Sequence, residues 1–140
     1  MGTVRIIDED FSVDAEIKKV KSVSRRIGGI VTFLGTARDF SRGKEVKKLV
    51  FEDYSDMAIE KLKELRERAL EKFDIIEVSM LHRTGEIEVG ENIALIIVAA
   101  EHRKDAFSAC MWLIDELKKV VPIWKKEVTT EGEIWVEEHV

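Results

Sequence analysis

The sequence predicts an α+β fold, with helices packed on a largely antiparallel sheet. Three observations lead there. Residues 56–73 and 104–120 repeat their apolar side chains at helical spacing. "GGIVTFLG" and "NIALIIVAA" are instead apolar runs of strand length, rich in β-branched residues. Strands and helices also follow one another without the strict β-α-β order of a parallel sheet. The 140 residues form one expected domain, 1–140. A chain of this length buries roughly 68–70% of its unfolded surface, so it needs neither disulfide nor metal to hold it together.

The elements are read in order. "TVRIID" alternates and is a strand. Ser12 caps a helix over Val13–Ser22, with Asp14 and Glu16 in its first turn. Gly29–Thr36 is a buried strand, and "DFSRGKE" a polar, glycine-bearing loop. "VKKLVFEDY" is a second strand, expected to pair with the first. From Ser55 the clearest helix runs through "DMAIEKLKELRERALEKF", with Ile59, Leu62, Leu65, Ala69 and Phe73 on its apolar side. "IIEVSMLHR" is a third strand and "TGEIEVGE" a turn-rich connection. "NIALIIVAAEHR" is apolar along its length and therefore central. The helix Lys104–Val120 has a core stripe of Ala106, Cys110, Leu113, Ile114, Leu117 and Val121. Pro122 directs Val121 toward an extended conformation and ends that helix. "IWKKEV" is a strand, "TTEGE" a turn and "IWVEE" the last strand.

Composition narrows the function. The formal net charge of −5 disfavours general nucleic-acid binding, which needs a basic surface. Cys110 is the only cysteine, which excludes a disulfide framework and fits a reducing, cytoplasmic setting. The N-terminus lacks the basic region and apolar run of a signal peptide, and no apolar stretch approaches about 18 residues. His82, His102 and His139 show no HxxxH or HExxH spacing, so no metal site is expected.

"KKVVPIWKKE", residues 118–127, sets two lysine pairs around the only proline. Lys118 lies four residues after Ile114 and seven after Met111, at the edge of the apolar stripe. That is the position of a partly desolvated ammonium with a lowered pKa. Lys119 lies four residues after Asp115, the spacing of an exposed ion pair. Beyond the proline, alternation sends Lys125 to the face of Ile123 and Glu127, and Lys126 to that of Trp124 and Val128. In one reading the proline-forced reversal brings Lys118 and Lys125 into one neighbourhood. In the other the lysines only complement the helix C-terminus.

Other cations also sit at element ends. Arg38 follows the buried strand, where an arginine either clamps an oxyanion bidentately or faces solvent. His102 and Arg103 precede a helix N-terminus, either as an anion site or as a tie across the strand–helix joint. His82 and Arg83 end the preceding strand and read as structural. Cys110, inside an apolar stripe with no activating partner, reads as packing. Trp112, Trp124 and Trp135 read as core or interface. Arg38, His102, Arg103, Lys118 and Lys125 together suit a small anionic ligand. Both an enzyme and a non-catalytic module that binds an anionic metabolite or a partner's tail fit that set.

Five motifs, "GGIVTFLGTAR", "EDYSDMA", "HRTGEIEVGE", "EHRKDAF" and "DELKKVVPIWKKE…GEIWVE", occur in order, within a resemblance that runs from about Val4 to Glu138. In this the chain resembles the large, catalytic subunits of molybdopterin synthases. The resemblance implies an α/β hammerhead-like fold with an additional small antiparallel sheet. It implies a sulfurtransferase of molybdenum cofactor biosynthesis, converting cyclic pyranopterin monophosphate into molybdopterin by installing a dithiolene. Sulfur would come from a small ubiquitin-like carrier subunit ending in a Gly-Gly thiocarboxylate, and a homodimer of large subunits would sit within a heterotetramer. No cofactor or metal of the chain's own is implied. By motif, Lys118 and Lys125 would be catalytic. Thr36, Ala37, Arg38, His102, Arg103, Lys126 and Glu127 would bind substrate.

Overall fold

The computed structural model describes residues 3–53, 55–121 and 123–136. Its elements are β1 (Val4–Ile7), α1 (Val13–Lys21), β2 (Gly29–Thr36), β3 (Phe40–Ser41), β4 (Lys44–Asp53), α2 (Ser55–Lys72), β5 (Glu77–Arg83), β6 (Gly85–Glu88), β7 (Asn92–Ala100), α3 (Arg103–Val120), β8 (Ile123–Thr129) and β9 (Gly132–Val136). Pro122, Tyr54 and the end of the expected last strand, residues 137–138, lie outside the described residues.

Two sheets divide the strands. The first has the order β1-β5-β7-β2, with β1 parallel to β5 and the other pairs antiparallel. The second runs β3-β4-β8-β9, with β6 also paired to β4, and is antiparallel throughout. This is the expected α+β arrangement with a further antiparallel sheet. Helices cover both faces of the first sheet. α1 packs Val20 on Leu81, Leu95, Ile97 and Ala99, while α2 and α3 bury Leu62, Leu65, Leu113 and Leu117 on the other side. That double cover explains why Leu95–Ala100 of β7 is buried residue after residue, without alternation.

α1 begins as expected, with the Ser12 side chain accepting a hydrogen bond from the Ala15 N–H at 3.2 Å. An Arg5–Glu16 ion pair ties the helix to β1. α3 ends where the sequence indicates: Val121 is extended, at φ −89° and ψ 124°.

Three expectations are corrected. β4 does not pair with β2; β2 pairs with β7, and β4 with β3, β6 and β8. The register of β2 on β7 shifts after Gly35, and the chain there leaves the first sheet. Across that exit the Ala37 N–H donates to the Glu91 carbonyl and the Ala37 carbonyl accepts from the Gly90 N–H, and the Val46 N–H donates to the Asp39 carbonyl on entry to the second. "TGEIEVGE" contains a strand, β6, whose Ile87 is buried opposite Leu49. "DFSRGKE" is a hairpin rather than a loop, with β3 turned onto β4 through Arg42 and Gly43.

Among the described residues, no helix is long and apolar enough to cross a membrane.

Candidate active site

The pivot of the site is a buried lysine. β8 alternates as the sequence requires, so Ile123, Lys125, Glu127 and Thr129 turn inward, while Trp124 and Lys126 turn outward. Lys125 is only 6% exposed and Glu127 4%. A lysine is seldom so enclosed without a counter-charge, and here Nζ lies 4.0 Å from the Glu127 carboxylate. Phe51 of β4 stands opposite Lys125 in the ladder. Its ring meets His82 edge-on, with centroids 5.1 Å apart.

Lys118 approaches from the last turn of α3. It is exposed, and it helps line an apolar cavity with Phe33, Phe51, His82, Ile114 and Leu117. Electrostatics place it with Lys125. Burial holds the Lys125 ammonium below the ordinary lysine value of 10.5, Glu127 partly restores it, and Arg38, Arg42 and Lys118 push it down again. The charge of Lys118 is thus felt at Lys125. The desolvated ammonium is not Lys118, as helix spacing suggested, but Lys125. A lysine in the final turn of a helix can extend into water, whereas an inward position between two paired strands cannot. Lys119 likewise pairs with Glu116 at 3.3 Å rather than with Asp115.

The remaining candidates divide. Arg38 is exposed just beyond β2 and its charge reaches Lys125. Thr36 is exposed at the end of β2, and Ala37 is buried with its backbone bonded to Glu91 and Gly90. Lys126 is on the other face of the sheet, paired with Glu133 at 3.3 Å and lying over the Trp135 ring. Its side chain does not join Lys125. His102 and Arg103 are exposed at the start of α3, and His102 caps that helix without a side-chain bond. Fifteen residues of helix separate Arg103 from Lys118, about 22 Å. One chain does not bring these two residues to the lysines.

Sequence reasoning missed Arg42, which bears on Lys125 as Arg38 does. The signal was a two-residue "RG" connection, the length of a tight hairpin turn.

Two other sequence candidates have structural roles. The Arg83 guanidinium is buried, donates to the Asn92 carbonyl at 2.9 Å, and faces Asp10 and Glu91 at 3.9 and 3.8 Å. It locks the start of β7 to the end of β5. Cys110 is buried, and burial raises its thiol from 9.0 to about 11, which leaves it inert. Trp124 and Trp135 are not core residues; both are exposed on the outer face of the second sheet. No group of His, Cys, Asp or Glu suited to a metal ion occurs among the described residues.

The buried Lys125–Glu127 pair thus feels the charges of Arg38, Arg42 and Lys118 at its ammonium, in a chain whose net charge is −5. Such a concentration of positive charge can attract an anion and move a proton at the Lys125 amine.

Known proteins share this framework. Residues 6–120 match the MoaE protein family. The molybdopterin synthase catalytic subunit of Pyrococcus abyssi is 50% identical over 129 residues, 92% of this chain and 86% of that protein. The crystal structure of molybdopterin synthase from Staphylococcus aureus superposes with a TM-score of 0.90 at 31% identity, over 97% of this chain and 98% of that one. The fold also matches a chain in the complex of subunits 1 and 2 of the Helicobacter pylori molybdopterin-converting factor. That match has a TM-score of 0.80 at 19% identity and covers 99% and 92% of the two chains. The chain belongs to the MoaE family, that of the molybdopterin synthase catalytic subunits.

Proposed function

We propose that the chain transfers sulfur from the thiocarboxylated C-terminus of a small carrier subunit to cyclic pyranopterin monophosphate, forming the dithiolene of molybdopterin. The observation that carries this reading is the buried Lys125, 4.0 Å from Glu127 and within the electrostatic reach of Lys118, Arg38 and Arg42, in a chain of this family. Both reactants are anions, and both need cations in a confined place. Arg38 and Lys118 hold the phosphate and the thiocarboxylate. Two carriers each form one C–S bond. At one side-chain carbon the sulfur displaces the ring phosphate oxygen, breaking that C–O bond and leaving a monophosphate. At the neighbouring carbonyl carbon the oxygen leaves as water. Water then cleaves the carrier's acyl–sulfur bond and returns the carrier as a carboxylate. Both oxygens leave more readily as they gain protons, and one such proton comes from an ammonium. Lys125, already inclined to release its proton, supplies it, and Glu127 orients the amine. Sulfur arrives on the partner, so the inert Cys110 needs no part.

His102 and Arg103 enter this reading through a second copy of the chain. A homodimer that lays the start of one α3 beside the end of the other brings them to the lysines, within a heterotetramer carrying two small subunits. Thr36, Ala37 and the Lys126 backbone then belong to the rim rather than the centre.

The test is a single-turnover mixture of thiocarboxylated carrier and cyclic pterin. Lys118 is exposed, so Lys118→Ala folds, while product formation falls by about 10²–10³-fold as one cation facing the reacting anions is lost. Near-normal turnover in that variant overturns the role of Lys118. Carrier and pterin binding without any sulfur incorporation by the wild type leaves an anion-binding module instead.

A further inference from the structure

The hairpin between β3 and β4 is turned by Arg42 and Gly43, at φ 52° and 77°. Two successive left-handed residues are the pattern of a type I′ turn, for which Asn-Gly is the favoured pair. Glycine adopts that conformation freely, but arginine does so against the crowding of its Cβ. Arg42 is the only non-glycine residue with positive φ among the described residues. Such strain persists where surrounding structure imposes it, and it gathers at binding sites. The surroundings here are firm. Ser41 is buried, Phe40 and Ser41 pair with Glu45 and Lys44, and β4 continues into the ladder that holds Lys125. Arg42 itself is exposed and has no ion pair or hydrogen-bond partner among the described residues. It lies four residues after Arg38, in the hairpin that opens the second sheet.

We infer that Arg42 is a further anion-binding residue of this site, held on a strained turn so that its guanidinium meets an anion seated over Lys125. The inference rests on the functional reading above, whose two anions, the pterin phosphate and the carrier's terminal thiocarboxylate, share the chemistry an arginine recognises. The electrostatic pressure of Arg42 on Lys125, alongside Arg38 and Lys118, agrees with that placement.

Arg42→Asn separates the two roles of the residue, because asparagine suits the turn and cannot replace the charge. The variant folds, and its Tm rises by a few degrees. If the phosphate is the ligand, KM for cyclic pterin rises about ten-fold and carrier affinity is unchanged. If the carrier's terminus is the ligand, its Kd rises about ten-fold, and a carrier with an amidated C-terminus shows no such difference. Arg42→Lys recovers part of either loss. A raised Tm with KM and Kd both within about two-fold of wild type shows a turn residue only and overturns the inference. Titration of inorganic phosphate and of carrier into both proteins reads binding without turnover. A wild type that binds but transfers no sulfur therefore overturns the functional reading and leaves Arg42 to be judged on affinity.

Discussion

The Lys125–Glu127 pair can be tested as a buried charge couple by a double-mutant cycle. The two groups are 6% and 4% exposed, with Nζ and the carboxylate 4.0 Å apart. At that separation, opposite charges attract by about 1 kcal/mol in water and about 4 kcal/mol near a protein surface. Breaking a buried pair by removing one partner costs about 3–5 kcal/mol, because the other charge stays enclosed. The surrounding cations make the two single changes unequal. Glu127→Gln leaves Lys125 facing only Arg38, Arg42 and Lys118, so it takes the full cost, about 3–4 kcal/mol. Lys125→Met removes the ammonium those cations repel and leaves them near the carboxylate, so it costs less, about 2 kcal/mol. In the double variant neither charge is stranded, and the coupling recovered is about 2–3 kcal/mol.

Urea unfolding at pH 7, followed by tryptophan fluorescence, reads these differences. With a slope near 2 kcal/mol per molar, 3 kcal/mol moves the midpoint by about 1.5 M. The coupling survives 0.5 M salt, since ions do not screen an enclosed pair as they do a surface one. Activity follows a different order: the double variant regains stability and no turnover. Additivity of the two single changes to within about 0.5 kcal/mol refutes the reasoning. So does a coupling that salt abolishes.

Two further predictions concern titration. Lys125 has a folded pKa below its unfolded 10.5, so between those values the unfolded chain binds more protons and stability rises with pH. Lys125→Met flattens that rise in a series of urea melts from pH 7 to 10. Anion binding returns the amine toward its ordinary pKa, so carrier binding takes up a proton in the same window, measurable by calorimetry in buffers of different ionisation enthalpy. Release of protons there contradicts the assignment. Cys110, raised from 9.0 to about 11 by burial, holds about one thiolate in a thousand at pH 8. Thiol reagents therefore modify the protein at the rate of unfolding, and Cys110→Ala keeps its turnover. Its thiol favours the fold below pH 9 and stops doing so as pH passes about 11. Rapid modification of native protein is the contrary result.

Much of this was legible in one dimension. Helical spacing located α2 and α3, and the unbroken apolar run of β7 marked the central strand. Period-two alternation after Pro122 turned Lys125 inward with Glu127 and Lys126 outward with Trp124, as β8 shows. These are local properties, because the backbone's own repeat decides which side chains share a face. The tertiary structure alone decided which edges meet. β2 and β4 both have strand character, but pairing is settled by register and burial between distant segments. It also moved the desolvated amine from Lys118 to Lys125, brought Arg42 to the site, and left His102 and Arg103 a helix length away. A pattern records which face of an element avoids water, while charge and solvation at a point depend on every element that arrives there.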